Sequence, residues 1–137
     1  NLSWSHRPLF DAISAEAVRK MSALGPQELA NTAWSFAKLA VVDVPLISAI
    51  SAASLPRIGE FAPQGLSNTA WSLAALAIQD RPLLAGISSR ARATMDEFSS
   101  QDISNTAWAV ASLMVVDRPL CQAISARAII NRDYLNP

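Results

Sequence analysis

Cysteine and histidine are almost missing from this chain of 137 residues, which contains one of each. The single cysteine, Cys121, excludes an internal disulfide, and one cysteine with one histidine makes no zinc-binding cluster. Charged residues are scarce too, at 16% of the chain against roughly 25% in typical soluble domains. Eleven basic residues balance eleven acidic ones, so the net charge supplies no overall attraction to nucleic acid or to an anionic membrane.

Long apolar runs are missing as well, although hydrophobic residues make up 51% of the chain. No stretch of about 18 uncharged apolar residues occurs, so we expect no membrane span. The apolar content also excludes intrinsic disorder, and the length corresponds to one domain or a piece of one. The chain opens Asn-Leu-Ser-Trp, without an initiator Met or a signal h-region. We therefore expect a processed or excerpted chain whose targeting segment lies outside it.

An internal repeat dominates the sequence. The tetrapeptide Asn-Thr-Ala-Trp occurs three times in steps of 37 residues, at 31–34, 68–71 and 105–108. The dipeptide Pro-Leu recurs with the same step, at Pro8, Pro45, Pro82 and Pro119. An aspartate lies two residues before each of the last three prolines, at Asp43, Asp80 and Asp117. Markers that agree on one period indicate a tandem array. It divides residues 1–137 into a partial unit, 1–23, and three full units, 24–60, 61–97 and 98–134.

Each unit contains two predicted helices, A and B. In the first full unit, Pro26 suits the first position of helix A, Gly25 is its N-cap, and Leu24 and Leu29 form a hydrophobic staple. The staple recurs as Phe61 with Leu66 and as Phe98 with Ile103, and Ser99 and Asp102 have capping-box spacing. Helix B begins at Pro-Leu, after an interhelix turn that contains the aspartate. No segment alternates at period two, so strands are disfavoured.

The predicted fold is all-α: a right-handed α-solenoid of stacked antiparallel helix pairs with about seven helices. The helices are expected at residues 8–23, 26–41, 45–59, 63–78, 82–97, 100–115 and 119–131. Pro56 should kink or end the helix expected at 45–59, because proline cannot continue a helix interior.

Helix A is apolar around most of its circumference, with one polar stripe formed by Asn31, Ser35 and Lys38. Such a helix is packed on several sides, so it should be the inner helix of the solenoid. The repeated tryptophans are expected to be core residues that stack along the array and fill gaps between successive units, in preference to a role in stacking on a ligand. They are Trp34, Trp71 and Trp108.

The repeated asparagines Asn31, Asn68 and Asn105 suggest a ladder, because asparagine is a mediocre residue inside a helix. The favoured interpretation is an internal hydrogen bond from each amide to a neighbouring unit. The other is that the amides hold an extended ligand along the concave face. The candidate groove residues are therefore Asn31, Asn68, Asn105, Ser35, Ser72, Lys38, Trp34, Trp71 and Trp108.

Little in the sequence supports catalysis. It has no glycine-rich phosphate loop, no HExxH and no GxSxG. His6 occupies the turn position that the aspartates take in later units, and Cys121 is expected to be a small core residue. The adjacent carboxylates of Asp96 and Glu97 should point apart, which makes them a poor acid–base pair. We expect no enzyme, no cofactor and no metal site.

The unit reads Pro/Ser-Gln-x-Leu/Ile-x-Asn-Thr-Ala-Trp, with Asp-x-Pro-Leu after it, and it resembles the octotricopeptide and heptatricopeptide helical repeats, which often accompany a RAP domain. The resemblance extends from about Pro8 to Ile130, and the 37-residue step matches the heptatricopeptide length. It implies a plastid or mitochondrial α-solenoid that acts on organelle RNA in maturation, translation or ribosome assembly. By the same resemblance, the first helix of each pair would line the ligand groove.

Two functions remain open. The favoured one is a scaffold that binds other protein subunits of a large organellar complex, since neutral charge and few cations suit protein partners. The alternative is an organelle RNA-binding module with single-stranded RNA as its partner. An RNA groove needs cations for the phosphates, yet the position of Lys38 becomes Ala75 and Ser112 in the next units. Modular RNA readers also vary their groove residues between units, whereas Asn-Thr-Ala-Trp is unchanged.

Overall fold

The computed structural model describes residues 6–135, and this part of the chain folds into seven α-helices with no strand. The predicted all-α class and helix number are confirmed. The first five residues of the partial unit, with Trp4 among them, lie outside the described residues. The helices are α1 (Arg7–Arg19), α2 (Pro26–Lys38), α3 (Val44–Ser54), α4 (Pro63–Ala75), α5 (Arg81–Ala93), α6 (Ser100–Ser112) and α7 (Arg118–Leu135).

The helices form two layers that stack as a solenoid. The A helices α2, α4 and α6 pack on one another and make the most extensive contacts in the molecule. Five-residue turns, 39–43, 76–80 and 113–117, connect each A helix to its B helix, α3, α5 or α7. The B layer is looser: α1 contacts α3 and α5 contacts α7, while the 3₁₀ segment Leu55–Glu60 packs against α5. The A layer is therefore the continuous spine of the array.

The A helices begin where the sequence predicts. Pro26 and Pro63 lie in the first turns of α2 and α4, and Ser99 and Asp102 form a capping box at the start of α6. The staple residues before the second and third helices, Phe61 and Phe98, are buried. Gly65 lies directly beneath the Phe61 ring, since a Cβ there would be 3.4 Å from Cδ1 of Phe61 and 3.7 Å from Cβ of Ala30 in the preceding unit. Phe61 therefore lies where α4 meets α2.

The A helices end three residues earlier than predicted, at 38, 75 and 112. Each ends in a Schellman turn whose C′ residue has positive φ: Ala40 (55°), Ala77 (56°) and Met114 (52°). In the first turn the Ala40 N–H donates to the Ala37 carbonyl at 3.0 Å and the Val41 N–H donates to the Phe36 carbonyl at 2.9 Å. The same two bonds recur in the other turns. No glycine marks these ends, so the sequence pattern gave no stop signal.

The B helices are capped by the repeated aspartates. A carboxylate oxygen of Asp43, Asp80 and Asp117 accepts the backbone N–H of Leu46, Leu83 and Leu120 respectively, each at 3.0 Å. The helices consequently begin one residue before the Pro-Leu start that we predicted. The Pro56 prediction is confirmed, because α3 ends at Ser54 and the chain continues as a 3₁₀ segment. The last helix extends four residues beyond the predicted end at 131.

One buried polar contact joins the second and third units. The Ser67 hydroxyl of α4 donates to Asp102 Oδ1 of α6 at 3.0 Å, while the other Asp102 oxygen accepts the Ser99 N–H and hydroxyl. Both Ser67 and Asp102 are buried. The carboxylate therefore caps its own helix and ties that helix to the neighbouring one. Among the described helices, none combines the length and the apolar character that a bilayer crossing requires.

Candidate functional site

The candidate groove residues lie on the A helices. Counted from the repeated asparagine, they take positions one, four, five and eight of each unit. Residues spaced by three, four and seven share one side of a helix, so each unit presents these positions in the same direction. We call this set the tryptophan face, comprising Asn31, Trp34, Ser35, Lys38, Asn68, Trp71, Ser72, Asn105 and Trp108.

The tryptophans are more exposed than a core position allows. Trp34 is 41% exposed and Trp108 is 47% exposed, while Trp71 of the middle unit is half-buried. The prediction of core tryptophans is therefore wrong for Trp34 and Trp108. The A helices bury other positions, which in α2 are Leu29, Ala30, Ala33, Phe36 and Ala37. Only the middle tryptophan lies on an A helix that has a neighbouring A helix on both sides, which agrees with its lower exposure.

The predicted stacking along the array is confirmed for one tryptophan pair. The rings of Trp71 and Trp108 have centroids 5.9 Å apart and are tilted by 32°. Between Trp34 and Trp71 lies Lys38, whose Nζ is 5.6 Å from the first ring centroid and 5.9 Å from the second. Both distances suit a cation–π contact. The three units thus share one continuous surface of aromatic rings with a single ammonium group in it.

The prediction that the asparagines form an internal ladder of hydrogen bonds between units is wrong. Within the described residues, the side-chain amides of Asn31 and Asn68 make no hydrogen bond, and Asn105 Oδ1 accepts only from Gln101 Nε2 of its own helix, at 3.3 Å. Asn31 is exposed, and the other two are half-buried. The amides of Asn31 and Asn68 therefore keep their donors and acceptors available for another molecule.

The serines differ between units. The Ser35 hydroxyl donates to the Asn31 carbonyl at 2.8 Å and stays exposed. Ser72 makes the same bond to the Asn68 carbonyl at 2.6 Å but is fully buried, because α4 is covered by A helices on both sides. Ser72 therefore cannot touch a ligand, and its place in the candidate groove is corrected. The accessible part of the tryptophan face consists of the tryptophans, the asparagines, Ser35 and Lys38.

A second exposed surface follows the A-to-B turns and was missed by the sequence reasoning. We call it the turn edge. It carries large apolar side chains that are exposed to solvent, namely Leu39, Val42, Val44, Met114 and Val116. Val44, Arg81 and Arg118 begin the B helices at this edge, and all three are exposed. An apolar surface with basic residues beside it is typical of an interaction site. The only sequence signal for it was the turn itself.

The residues that we weighed for catalysis do not come together. Cys121 is exposed, so its assignment to the core is wrong. His6 is exposed at the start of α1, and Asp96 and Glu97 are exposed in the 3₁₀ segment after α5. Among the side chains of residues 6–132, no group of three or more His, Cys, Asp or Glu is arranged to hold a metal ion.

Comparison with protein families identifies a family that the chain matches. A family model described as RESC6, RNA-editing substrate-binding complex 6 protein, matches residues 2–136, which is nearly the whole chain. No curated protein matches the chain in sequence.

Proposed function

This chain belongs to the RNA-editing substrate-binding complex 6 protein family, and from that premise we propose that it is a non-catalytic helical-repeat subunit of an organellar RNA-processing complex. Its role in that complex is to hold other protein subunits. The family description names a component of a substrate-binding complex, and an all-helical array with two exposed surfaces suits such a role. Membership of the octotricopeptide or heptatricopeptide class stays a prediction, because the matched description names no repeat class.

The observation that carries the scaffold function is the exposure of large apolar side chains along the turn edge. Met114 and Val116 are 83% and 88% exposed, and Val42 and Val44 occupy the same edge in the first full unit. Val42 and Val116 take the same position in their units, so an exposed aliphatic group recurs at this edge. Such groups favour a protein partner, because burying them on association releases water from apolar surface. The zero net charge agrees with a protein partner more than with a polyanion.

The experiment is affinity purification of the full chain with an affinity tag from its native organelle, with and without nuclease treatment. We expect other RNA-processing proteins to copurify after the RNA has been destroyed. A variant with Val42→Ser, Val44→Ser, Met114→Ser and Val116→Ser should lose them while keeping its melting temperature, because all four side chains are exposed. Recovery of proteins only while RNA is intact would contradict the scaffold function.

A second candidate function is direct contact with single-stranded RNA, favoured by the exposed rings of the tryptophan face. Bases stack on aromatic side chains with a gain of about 1–3 kcal/mol per base, and Lys38 supplies one cation beside two of the rings. One cation on this face indicates weak binding that is sensitive to salt. Tryptophan fluorescence during titration with a single-stranded oligonucleotide tests this, and Trp108→Ala should weaken the binding.

The proposed location is the mitochondrion. RNA-editing complexes of the matched kind fit a mitochondrial setting, and no observation favours the plastid that the repeat resemblance also allowed. Imaging of the full-length protein with a fluorescent tag, against markers for both organelles, tests this location directly.

A further inference from the structure

A cavity of about 450 Å³ opens at the turn edge between the second and third units. Its walls come from the start of α5, the turn at 113–117 and the start of α7. Aliphatic side chains make up most of the lining, with Leu84, Leu113 and Val115 on the walls and the exposed Met114 and Val116 at the same turn. A pocket of this size and lining is suited to burying an aliphatic side chain of a partner.

Two guanidinium groups also line this cavity. Arg81 and Arg118 are both exposed, and neither forms an ion pair or a side-chain hydrogen bond within residues 6–135. The carboxylate in the lining, Asp117, is already engaged: one oxygen accepts the Leu120 N–H at 3.0 Å and the other accepts the Ser88 hydroxyl. The two arginines are therefore available for carboxylates from another molecule, which guanidinium groups bind with two parallel hydrogen bonds.

The cavity walls are held together by contacts between the two units. Gln79 Nε2 of the second unit donates to the Leu113 carbonyl of the third at 3.0 Å, and Ser88 of α5 bonds to Asp117 at the start of α7. These two links fix the turn at 113–117 against α5. A cavity that is formed before the partner arrives loses less conformational freedom on binding, so modest contacts give useful affinity.

We propose that this cavity is a docking site for an acidic, aliphatic peptide segment of a partner protein. An aliphatic side chain enters the cavity, and carboxylates on either side of it pair with Arg81 and Arg118. This inference rests on the proposed scaffold function and deepens it by naming the chemistry of the partner. An RNA strand suits the cavity less well, because no aromatic ring occurs among the described lining residues for a base to stack on.

The test uses the full chain and a displayed library of random twelve-residue peptides. We expect the selected peptides to be rich in Asp or Glu together with Leu, Ile or Met. In solution they should bind the Arg81→Gln/Arg118→Gln double variant about tenfold or more weakly, as truncation of central charged contacts at interfaces does. The Met114→Ser/Val116→Ser double variant should also bind the peptides more weakly. Its fold should be intact, because both side chains are exposed.

The matched controls are Arg92→Gln, an exposed arginine near the far end of α5, and Lys38→Gln on the tryptophan face. Both should leave peptide binding unchanged. Selection of no binders, selection of basic or aromatic peptides, or equal binding by the double variant would overturn the docking site. Loss of single-stranded oligonucleotide affinity in the double variant, with peptide binding unchanged, would identify the cavity as a phosphate site and also overturn it.

Copurification separates this inference from the proposed function. If the wild-type chain brings down RNA-processing proteins and the double variant does so equally well, the docking site fails alone. If the wild-type chain brings down no such proteins, the scaffold function fails whatever the peptide selection shows.

Discussion

Ser67 and Asp102 lie 35 positions apart in the chain and share a buried 3.0 Å hydrogen bond between α4 and α6. Asp102 also completes the capping box with Ser99, so one carboxylate serves both its own helix and the contact between units. Buried carboxylates are tolerated when every oxygen is bonded, and both oxygens of Asp102 accept hydrogen bonds. The contact between the second and third units therefore depends on a polar residue inside an apolar interface.

Replacement of Asp102 should be costly. Asp102→Ala removes the carboxylate half of the capping box and the acceptor on α6 of the buried Ser67 hydroxyl, so we expect a loss of about 2–4 kcal/mol in the free energy of unfolding. Urea denaturation followed by circular dichroism measures it. Asp96→Ala, at an exposed carboxylate with no such bonds, is the control and should change stability little. Equal stability of both variants would show that the buried bond contributes nothing.

Phe61 should be among the apolar residues whose substitution destabilises the fold most. It is 1% exposed and lies where α4 meets α2, so Phe61→Ala should lower stability by about 3–5 kcal/mol. Trp108→Ala removes a larger ring from an exposed place and should cost only about 1–2 kcal/mol. Thermal melts of both variants provide the comparison. A larger loss from Trp108→Ala than from Phe61→Ala would mean that the tryptophan face is a packed interior.

The turns that end the A helices offer a stabilising substitution. Ala77 has a φ of 56°, where a Cβ costs roughly 1–2 kcal/mol that glycine does not incur. Ala77→Gly should therefore raise the unfolding free energy by about 1 kcal/mol. Ala75→Gly, two residues earlier and still in the helix, should lower it by about the same amount. If Ala77→Gly and Ala75→Gly were both less stable than the wild type, Ala77 would not have a left-handed conformation in solution.

Asn68 should be dispensable for folding. Its amide makes no hydrogen bond in the described residues, so Asn68→Ala should change stability by only a few tenths of a kcal/mol. This reverses the expectation that the sequence pattern favoured. The neighbouring Thr69 is buried and donates to the Gly65 carbonyl at 2.7 Å, so Thr69→Ala should be clearly less stable. A marked loss of stability in Asn68→Ala would instead support an internal ladder of hydrogen bonds between units.

Lys38 should control the salt dependence of any RNA binding. If its ammonium group neutralises one phosphate, Lys38→Gln should reduce the slope of log affinity against log salt by about one. Titration of a single-stranded oligonucleotide at several salt concentrations measures that slope. Lys20→Gln, at the C-cap of α1 and paired with Glu16, is a charge-matched control that should leave the slope unchanged. Equal slopes for the wild type, Lys38→Gln and Lys20→Gln would show that Lys38 does not contact the RNA.

The features that could be predicted from the sequence are those with a local chemical cause. Pro26, Pro63 and the capping pair Ser99–Asp102 are signals within one helical turn, and the A helices begin where these signals lie. The ends were missed because the left-handed position is taken by alanine or methionine, which in a sequence look like continued helix. The first residues of the B helices were misplaced because the aspartate was recognised as a turn residue and not as the cap.

The exposure of the tryptophans could not be predicted from the repeat. Helix A is apolar around most of its circumference, so its sequence alone does not decide which apolar side remains uncovered. That choice depends on how the A helices pack on one another, which is a property of the whole array. The same packing buries Ser72 and leaves Ser35 exposed, although both have the same position in the repeat.

The equal lengths of α2, α4 and α6, each 13 residues, have a consequence for how this chain can change during evolution. Duplication or loss of a whole 37-residue unit keeps every tryptophan in line and changes only the number of contacts available to a long partner, and so the avidity. Insertion of a single residue within an A helix rotates everything beyond it by about 100°, which turns the remaining rings away from their neighbours. Such an array should therefore vary in length among relatives by whole units.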